Sequence, residues 1–472
     1  MGERILLAFY GDDFSGTTAT AEALFESGVP TLIFADPPDP FLLAKHFPAV
    51  RAVGVAGLAR TLPAGELAAA LSPVFRAFQR LRPPVLLYKV CSTFDSSAEK
   101  GSIGRAIEIG REIFNLDFVP VLPAAPRLGR YTIFGHHFAA LGEGEVYRLD
   151  RHPSISKHPV TPMRESDLRL HLARQTSLEI ALINILEVNQ GPARVKQLLR
   201  GLREKAIPVV LFDCIEEKHM QIICRVIWKE ASSERPVFIV GSQEIGFGLG
   251  DAWKKTGMLP QADVGDMADS GPERPLLVLS GSCATVTGRQ IRWAAENAFT
   301  EVPVSPEKLL DPALNAAEIE RVAGGCRQAI LQNRSVIAHT AAGPEDPRIV
   351  ELHKVADSLS LTPDRANRVL GDALGEIALQ VLGTVPLRRL VIVGGDTAGR
   401  VQQHLQVRAL QVARSIGIAA PLCYLYSANP ELNGLEVAFK GGQIGTTDYF
   451  GHVRSAATRG FAIEALGSYP AS

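Results

Sequence analysis

Two adjacent carboxylates, Asp12 and Asp13, close the first apolar run of the chain, in Tyr10-Gly11-Asp12-Asp13-Phe14-Ser15-Gly16-Thr17-Thr18. A helical pattern begins at about Thr17, so the pair stands where a strand gives way to a helix. In α/β sheets ligands collect at the carboxyl ends of strands, which makes this a place for chemistry. One carboxylate there can act as a base toward a substrate hydroxyl, and Asp12 is the candidate. Asp13 or Ser15 can instead cap the helix that follows, a common use of both residue types. A second polar cluster, Tyr88-Lys89-Val90-Cys91-Ser92-Thr93-Phe94-Asp95-Ser96-Ser97, follows the fourth apolar run. Its cation Lys89, hydroxyls Ser92 and Thr93 and carboxylate Asp95 are suited to gripping a small carboxylate that carries several hydroxyls. Hydroxyl-rich loops of this kind also occur as plain turn chemistry. Arg60, in Gly57-Leu58-Ala59-Arg60-Thr61, is either a further anion clamp or a solvated arginine. Asp13, Arg60, Lys89, Ser92, Thr93 and Asp95 are thus the candidate substrate-binding residues.

The second half of the chain carries three glycine-bearing loops after apolar runs: Ser280-Gly281-Ser282-Cys283-Ala284-Thr285, Gly394-Gly395-Asp396-Thr397, and Lys440-Gly441-Gly442-Gln443-Ile444-Gly445. Glycine lets a backbone come close to a phosphate, and the N–H groups at a helix start suit its charge. Tight turns would explain any one such loop; three in one half, one with a lysine, suggest a phosphate site. Neither GxxxxGK[ST] nor GxGxxG occurs in the sequence, so neither familiar nucleotide motif assigns the class.

The elements that must position these residues read as alternating strands and helices. Continuous apolar runs (ILLAFY, TLIFAD, AVGVAG, PVLLYKV, FVPVLPA, EIALIN, PVVLFD, PVFIVG) have the signature of strands buried on both faces of a parallel sheet. Between them lie helical patterns such as Ala98 to Phe114, where Ile103, Ala106, Ile107, Gly110 and Phe114 share a face. The alternation breaks at 258–275, which is rich in Pro, Gly and Asp, and resumes with LLVLSGS, SVIAHTA, LVIVGGD, LCYLYS and LEVAFKGG. The expected fold class is therefore α/β, with two domains of mainly parallel sheet: residues 1–257 around a substrate site, a linker at 258–275, and residues 276–472 around a nucleotide site.

A length of 472 residues suits two domains, and 46% hydrophobic with 21% charged residues is an ordinary globular balance. With 49 basic against 50 acidic residues there is no positive field to attract nucleic acid. The run Ile5 to Tyr10 is too short for a signal peptide, and no stretch reaches membrane-spanning length. Six scattered cysteines without CxxC spacing argue for reduced thiols in the cytoplasm, not for a zinc site or a disulfide framework. The pair His136–His137, without metal-type spacing around it, reads as loop or core histidines.

Taken together, these motifs resemble the four-carbon acid sugar kinase family over nearly the whole chain. GDDFSG is similar to the family's DDFTG-type motif, with Ser15 in place of threonine, and YKVCSTFDSSAEKGSIG resembles the segment of the 3-oxo-tetronate kinase branch. HPVTPM, SGSCAT, GGDT and KGGQIGTTDYF follow in the family's order, with Ala284 and Gly441 replacing serines of the usual segments. On the substrate side GTTAT and GRYTIFGHHF depart from the usual forms, which leaves the acid less well defined than the reaction. The resemblance implies ATP contacts at Ser282, Gly394, Gly395, Asp396, Thr397 and Gly442, with Gly445 in the same loop. It implies a kinase whose acid binds in the N-terminal half, with Asp12 accepting the hydroxyl proton, while ATP and Mg²⁺ occupy the C-terminal half, the γ-phosphate facing Asp12 across a closing cleft. Asp13 or Asp396 would help hold the metal or the ribose. The acid expected first is a 3-oxo-tetronate; threonate, erythronate and 3-oxo-isoapionate are alternatives, and a homodimer is compatible with the sequence. A sugar-acid sensor without catalysis has little need of both half-sites, and a dehydrogenase lacks its fingerprint.

Overall fold

The computed structural model describes residues 5–141, 144–157, 161–259, 273–417 and 419–458. They belong to two compact units, residues 1–264 and 265–472. Most of the 258–275 segment, and the start of HPVTPM at 158–160, lie outside the described residues.

The first unit is an α/β layer built on β1 (Leu7–Gly11), β2 (Thr31–Phe34), β3 (Ala52–Ala56), β4 (Val85–Lys89), β5 (Val119–Leu122), β9 (Ile180–Ile183), β10 (Val209–Phe212) and β11 (Val237–Gly241). Their order is β2-β3-β1-β4-β11-β5-β10-β9, and every pairing is parallel. All five residues of β1 are buried, as a strand covered on both faces requires. On one face Tyr10 and Tyr88 stack at 5.9 Å, with Phe75 edge-on to both from the Leu67–Leu81 helix. This aromatic floor fixes the strand ends that carry Asp12 and Lys89.

Gly57 is where that floor tolerates no side chain, because a Cβ there would stand 1.8 Å from the Tyr10 hydroxyl oxygen. With the ring held against Tyr88, Gly57→Ala should destabilise the unit by about 1–3 kcal/mol, the usual range for overpacking. Denaturant titration followed by circular dichroism measures it; an unchanged midpoint would mean that Tyr10 moves freely.

A small antiparallel meander, β6 (Arg130–Ile133), β7 (His136–Leu141) and β8 (Glu145–Arg148), interrupts the alternation and was not anticipated from the sequence. Its strands are short and mostly half-exposed, so they carry no continuous apolar run. The helix expected from Ala98 begins instead at Ile103, with the Ser102 hydroxyl capping it and Gly101 at φ +61° in the preceding turn.

The second unit contains β12 (Leu276–Ser280), β13 (Thr300–Pro303), β14 (Val336–His339), β15 (Arg389–Val393), β16 (Val407–Arg414), β17 (Leu422–Ser427) and β18 (Glu436–Lys440). The order is β13-β14-β12-β15-β18-β17-β16. The pairings from β13 to β18 are parallel, whereas β17 runs antiparallel to both β18 and β16. LCYLYS is the antiparallel exception in this mainly parallel sheet: too few residues separate it from LEVAFKGG for a crossover helix, and a short turn with Pro430–Leu432 reverses the chain. Among the described residues no helix is long and apolar enough to cross a membrane.

Candidate functional site

The first cluster forms because β3, β1 and β4 are neighbours, with Gly11 opposite both Ala56 and Lys89. The residues that follow these strands therefore converge on one sheet edge. Asp12 leaves β1 with its N–H donating to the Lys89 carbonyl at 3.0 Å, and its own carbonyl accepts from Arg60 N–H at 3.1 Å. Its side chain is 4% exposed, and Oδ1 is buried without a hydrogen-bond partner. Burial, reinforced by the charge of Asp13, pushes the Asp12 carboxyl up to about 7, against the pull of Lys89 and Arg60. A buried carboxylate oxygen left open is costly unless a ligand proton or cation meets it.

Asp13 is the helix cap that the sequence left as an alternative: Oδ1 accepts from Gly16 N–H at 2.5 Å at the start of the Phe14–Glu26 helix. Its Oδ2 takes Arg60 Nη1 at 2.9 Å, so both oxygens have partners within the protein. Arg60 Nη2 donates to Asp95 Oδ2, and the Thr93 hydroxyl donates to Asp95 Oδ1. Despite burial, Arg60 and Thr93 hold the Asp95 carboxyl below the usual carboxylate range. Arg60 is thus a brace between two loops, and only its remaining N–H groups could reach a ligand. Lys89 is 2% exposed, and its Nζ lies against Gly16, where a Cβ would come within 2.6 Å of it. The ammonium therefore lies beside the first turn of the Phe14–Glu26 helix, whose Gly16 N–H is capped by Asp13, and stands among the Asp12 and Asp13 carboxylates as a buried cation able to pair with an anionic group. Ser92 is buried in the loop, and its carbonyl accepts from His137 Nε2 at 2.8 Å.

In the second unit the three glycine loops follow β12, β15 and β18, adjacent parallel strands in which Val393 is opposite Ser280 and Lys440. A Cβ on Gly281 would meet Thr397 Oγ1 at 2.1 Å, and one on Gly442 would meet Ser282 Oγ at 2.1 Å, so only glycine permits the loops to close on each other. Two helices begin there, Thr285–Glu296 and Gly395–His404, and neither has a side-chain cap. Gly394 takes φ +117° and Gly445 φ +88°, values that favour glycine. Asp396 is exposed at the second helix start, with Asn367 Nδ2 at 3.4 Å, and Thr397 is buried beneath it. Uncapped N–H groups beside glycine-lined loops fit a polyphosphate.

Two residues absent from the sequence reading tie these loops together. Thr287 donates to the Gly442 carbonyl at 2.7 Å, and Gln290 Nε2 donates to the carbonyls of Ile444 and Thr446 at 3.0 and 2.8 Å. Their signal was available: polar residues three apart on the inward face of a helix. Lys440 is 1% exposed; burial pushes its ammonium down to about 8, and it donates to the Gly441 carbonyl at 3.2 Å.

Comparison with known proteins agrees with this division of labour. Residues 7–248 match the sugar-binding N-terminal domain and residues 277–450 the nucleotide-binding C-terminal domain. A 3-oxo-isoapionate kinase of Paraburkholderia graminis is 42% identical, covering 97% of this chain and 95% of its own. A 3-oxo-tetronate kinase of Cupriavidus necator is 29% identical over 95% and 96% of the two chains. A solved structure from Salmonella typhimurium LT2 shares the fold with a TM-score of 0.75 at 22% identity, over 94% and 98% of the chains. The chain therefore belongs to the four-carbon acid sugar kinase family, whose members are phosphotransferases with an alcohol group as acceptor.

Proposed function

We propose that this protein transfers the γ-phosphoryl group of ATP to a hydroxyl of a short 3-oxo sugar acid. The observation that carries the reading is Asp12 Oδ1, a buried carboxylate oxygen without a partner, at a strand end lined by Lys89, Arg60 and hydroxyls. The acid's carboxylate would pair with the Lys89 ammonium, with Ser92, Thr93 and Asp95 toward its hydroxyls. Asp12 takes the proton of the attacking hydroxyl as the oxygen–phosphorus bond forms and the bond to the β-phosphate oxygen breaks. A carboxyl poised near 7 suits this task, since it is basic at neutral pH yet strong enough to drive the transfer.

The triphosphate would lie on Ser282, Gly394, Gly395, Thr397, Gly442 and Gly445, with the two uncapped helix starts supplying N–H groups. Mg²⁺, which offsets the charge of transferring phosphates, would be held by Asp396, the exposed carboxylate at those loops. Asp13, with both oxygens committed, is proposed as a support for Arg60 that shapes the acid site. The 42% identical relative favours 3-oxo-isoapionate as the acid; 3-oxo-tetronate is the second reading, supported by the CSTFDS segment. Six free cysteines fit a reducing compartment, and we place the protein in the cytoplasm.

ATP consumption measured across four- and five-carbon sugar acids and their 3-oxo forms tests the substrate class; turnover with none of them would overturn it. Hydrogen exchange with a non-hydrolysable ATP analogue should slow at residues 394–397 and 442. Slowing confined to the loops at Asp12 and Lys89 would overturn the nucleotide assignment.

A further inference from the structure

The loop after β4 is fixed to the fold by two buried histidines that the phosphoryl transfer itself does not use. His137, on β7, is fully buried; its Nε2 donates to the Ser92 carbonyl at 2.8 Å, and its Nδ1 accepts from the Thr132 hydroxyl on β6 at 2.8 Å. Because the Ser92 carbonyl can only accept, it selects the tautomer that carries the proton on Nε2, and the Thr132 hydroxyl then donates to the bare Nδ1. His171, in the Leu168–Leu172 helix, places Nε2 at 2.9 Å from the Ser96 hydroxyl and 3.0 Å from Gln175 Nε2. Gln175 Nε2 also donates to Ser96 Oγ at 2.9 Å, and Gln175 Oε1 accepts from Ile103 and Gly104 N–H at 2.9 and 3.2 Å. With its oxygen occupied by backbone donors, the Gln175 amide must turn its NH₂ toward His171 and Ser96.

The two histidines share one support. His137 N–H donates to the Ser166 carbonyl, and Leu168 N–H to the Gly135 carbonyl, so the meander and the short helix hold each other. Burial pushes both imidazoles down to about 4, so each stays neutral and keeps a single N–H through the physiological range. The groups facing them, Arg130 on His137 and Arg174, Glu165 and Asp95 on His171, do not reverse this.

We propose that His137 and His171 are positioning residues of the acid site: through Ser92 and Ser96 they set the loop that presents Thr93 and Asp95, and with it the fit of the acid. Residues 130–137 and 166–175 then act as a specificity support, distinct from the nucleotide half of the reaction. The inference rests on the reading that this loop binds the acid.

The test compares acid KM, ATP KM, kcat and melting temperature in the full-length enzyme for His137→Leu, His137→Gln, Thr132→Val, Ser96→Ala and, as a control, Lys89→Met. Loss of one such bond, leaving the Ser92 carbonyl buried without a donor, should raise the acid KM about tenfold in His137→Leu, with ATP KM within about twofold. His137→Gln, which restores a donor near the same place, should recover most of that loss, and Thr132→Val and Ser96→Ala should shift the acid KM in the same direction by less. Acid and ATP KM rising together, or no rescue by glutamine, would mean a general structural role and overturn the proposal. An acid KM unmoved by the histidine and serine variants but raised by Lys89→Met overturns the proposal alone; one unmoved by any of them overturns the reading of the loop as well. If His137→Leu does not fold, Thr132→Val and Ser96→Ala decide by the same criteria.

Discussion

Asp12→Asn should lower kcat by about 10²- to 10⁴-fold while the KM values for acid and ATP change little, because the shape is kept and only the basicity is lost. The pH profile gives the second signature. With the carboxyl pushed up to about 7, activity should rise as pH increases through 7 and level off above it, since only the ionised form accepts the proton. Stability should move the other way. The folded carboxyl titrates above an unfolded aspartate, near 3.9, so the folded state prefers the protonated form, and this preference is lost as pH rises toward and past 7. Asparagine escapes the cost, so the variant should be more stable than the parent at pH 8, by up to roughly 4 kcal/mol at about 1.36 kcal/mol per pKa unit, and equal to it near pH 4. Steady-state kinetics and thermal melts across pH measure both. A variant with near-normal kcat that melts earlier at pH 8 would make Asp12 a structural acid.

Lys89→Ala should raise the acid KM by about 10- to 150-fold and the ATP KM far less. A charge-assisted contact to a carboxylate is worth roughly 1.5–3 kcal/mol, at 1.4 kcal/mol per decade. Because Lys89 is buried on β4, alanine also leaves a cavity; Lys89→Met keeps most of the volume and isolates the charge. There is a coupled effect on Asp12, whose ionised form Lys89 favours. Without that cation the rise of activity with pH should move to higher pH in both variants. An acid KM unchanged in Lys89→Met would remove the ammonium from the site, and an unmoved pH profile would show that it does not act on Asp12.

The strands were the most legible part of the sequence. The thirteen continuous apolar runs are all strands; in most of them burial on both faces leaves no room for polar alternation, and only the edge strand β9 is largely half-buried. The same criterion could not see β16, where a polar residue interrupts VRALQVAR at every third position, nor β13, which has one buried residue in four. Four residues singled out in the sequence, Asp12, Arg60, Lys89 and Asp95, do come together. Arg60 as the brace between Asp13 and Asp95 was not legible, since it depends on β3 and β4 flanking β1, and strand order is a tertiary fact. Nor was the pair His136–His137 separable by type: one ring meets the Ser166 hydroxyl and the other holds the loop after β4, a difference that the facing direction along β7 decides.

Arg60 bonds to one carboxylate 47 positions earlier in the chain and to another 35 positions later. Bringing those three points together in an unfolded chain carries the loop-closure entropy of two long segments. No short stretch of the sequence can therefore pre-form this cluster, and a sugar acid has nothing comparable to grip before the sheet assembles. On the proposed reading, the acid is for that reason a ligand of the folded state alone. By mass action, binding of the proposed acid would deepen the native well by about 2.7 kcal/mol at a hundredfold excess over its dissociation constant, so substrate would protect the fold as well as feed the reaction.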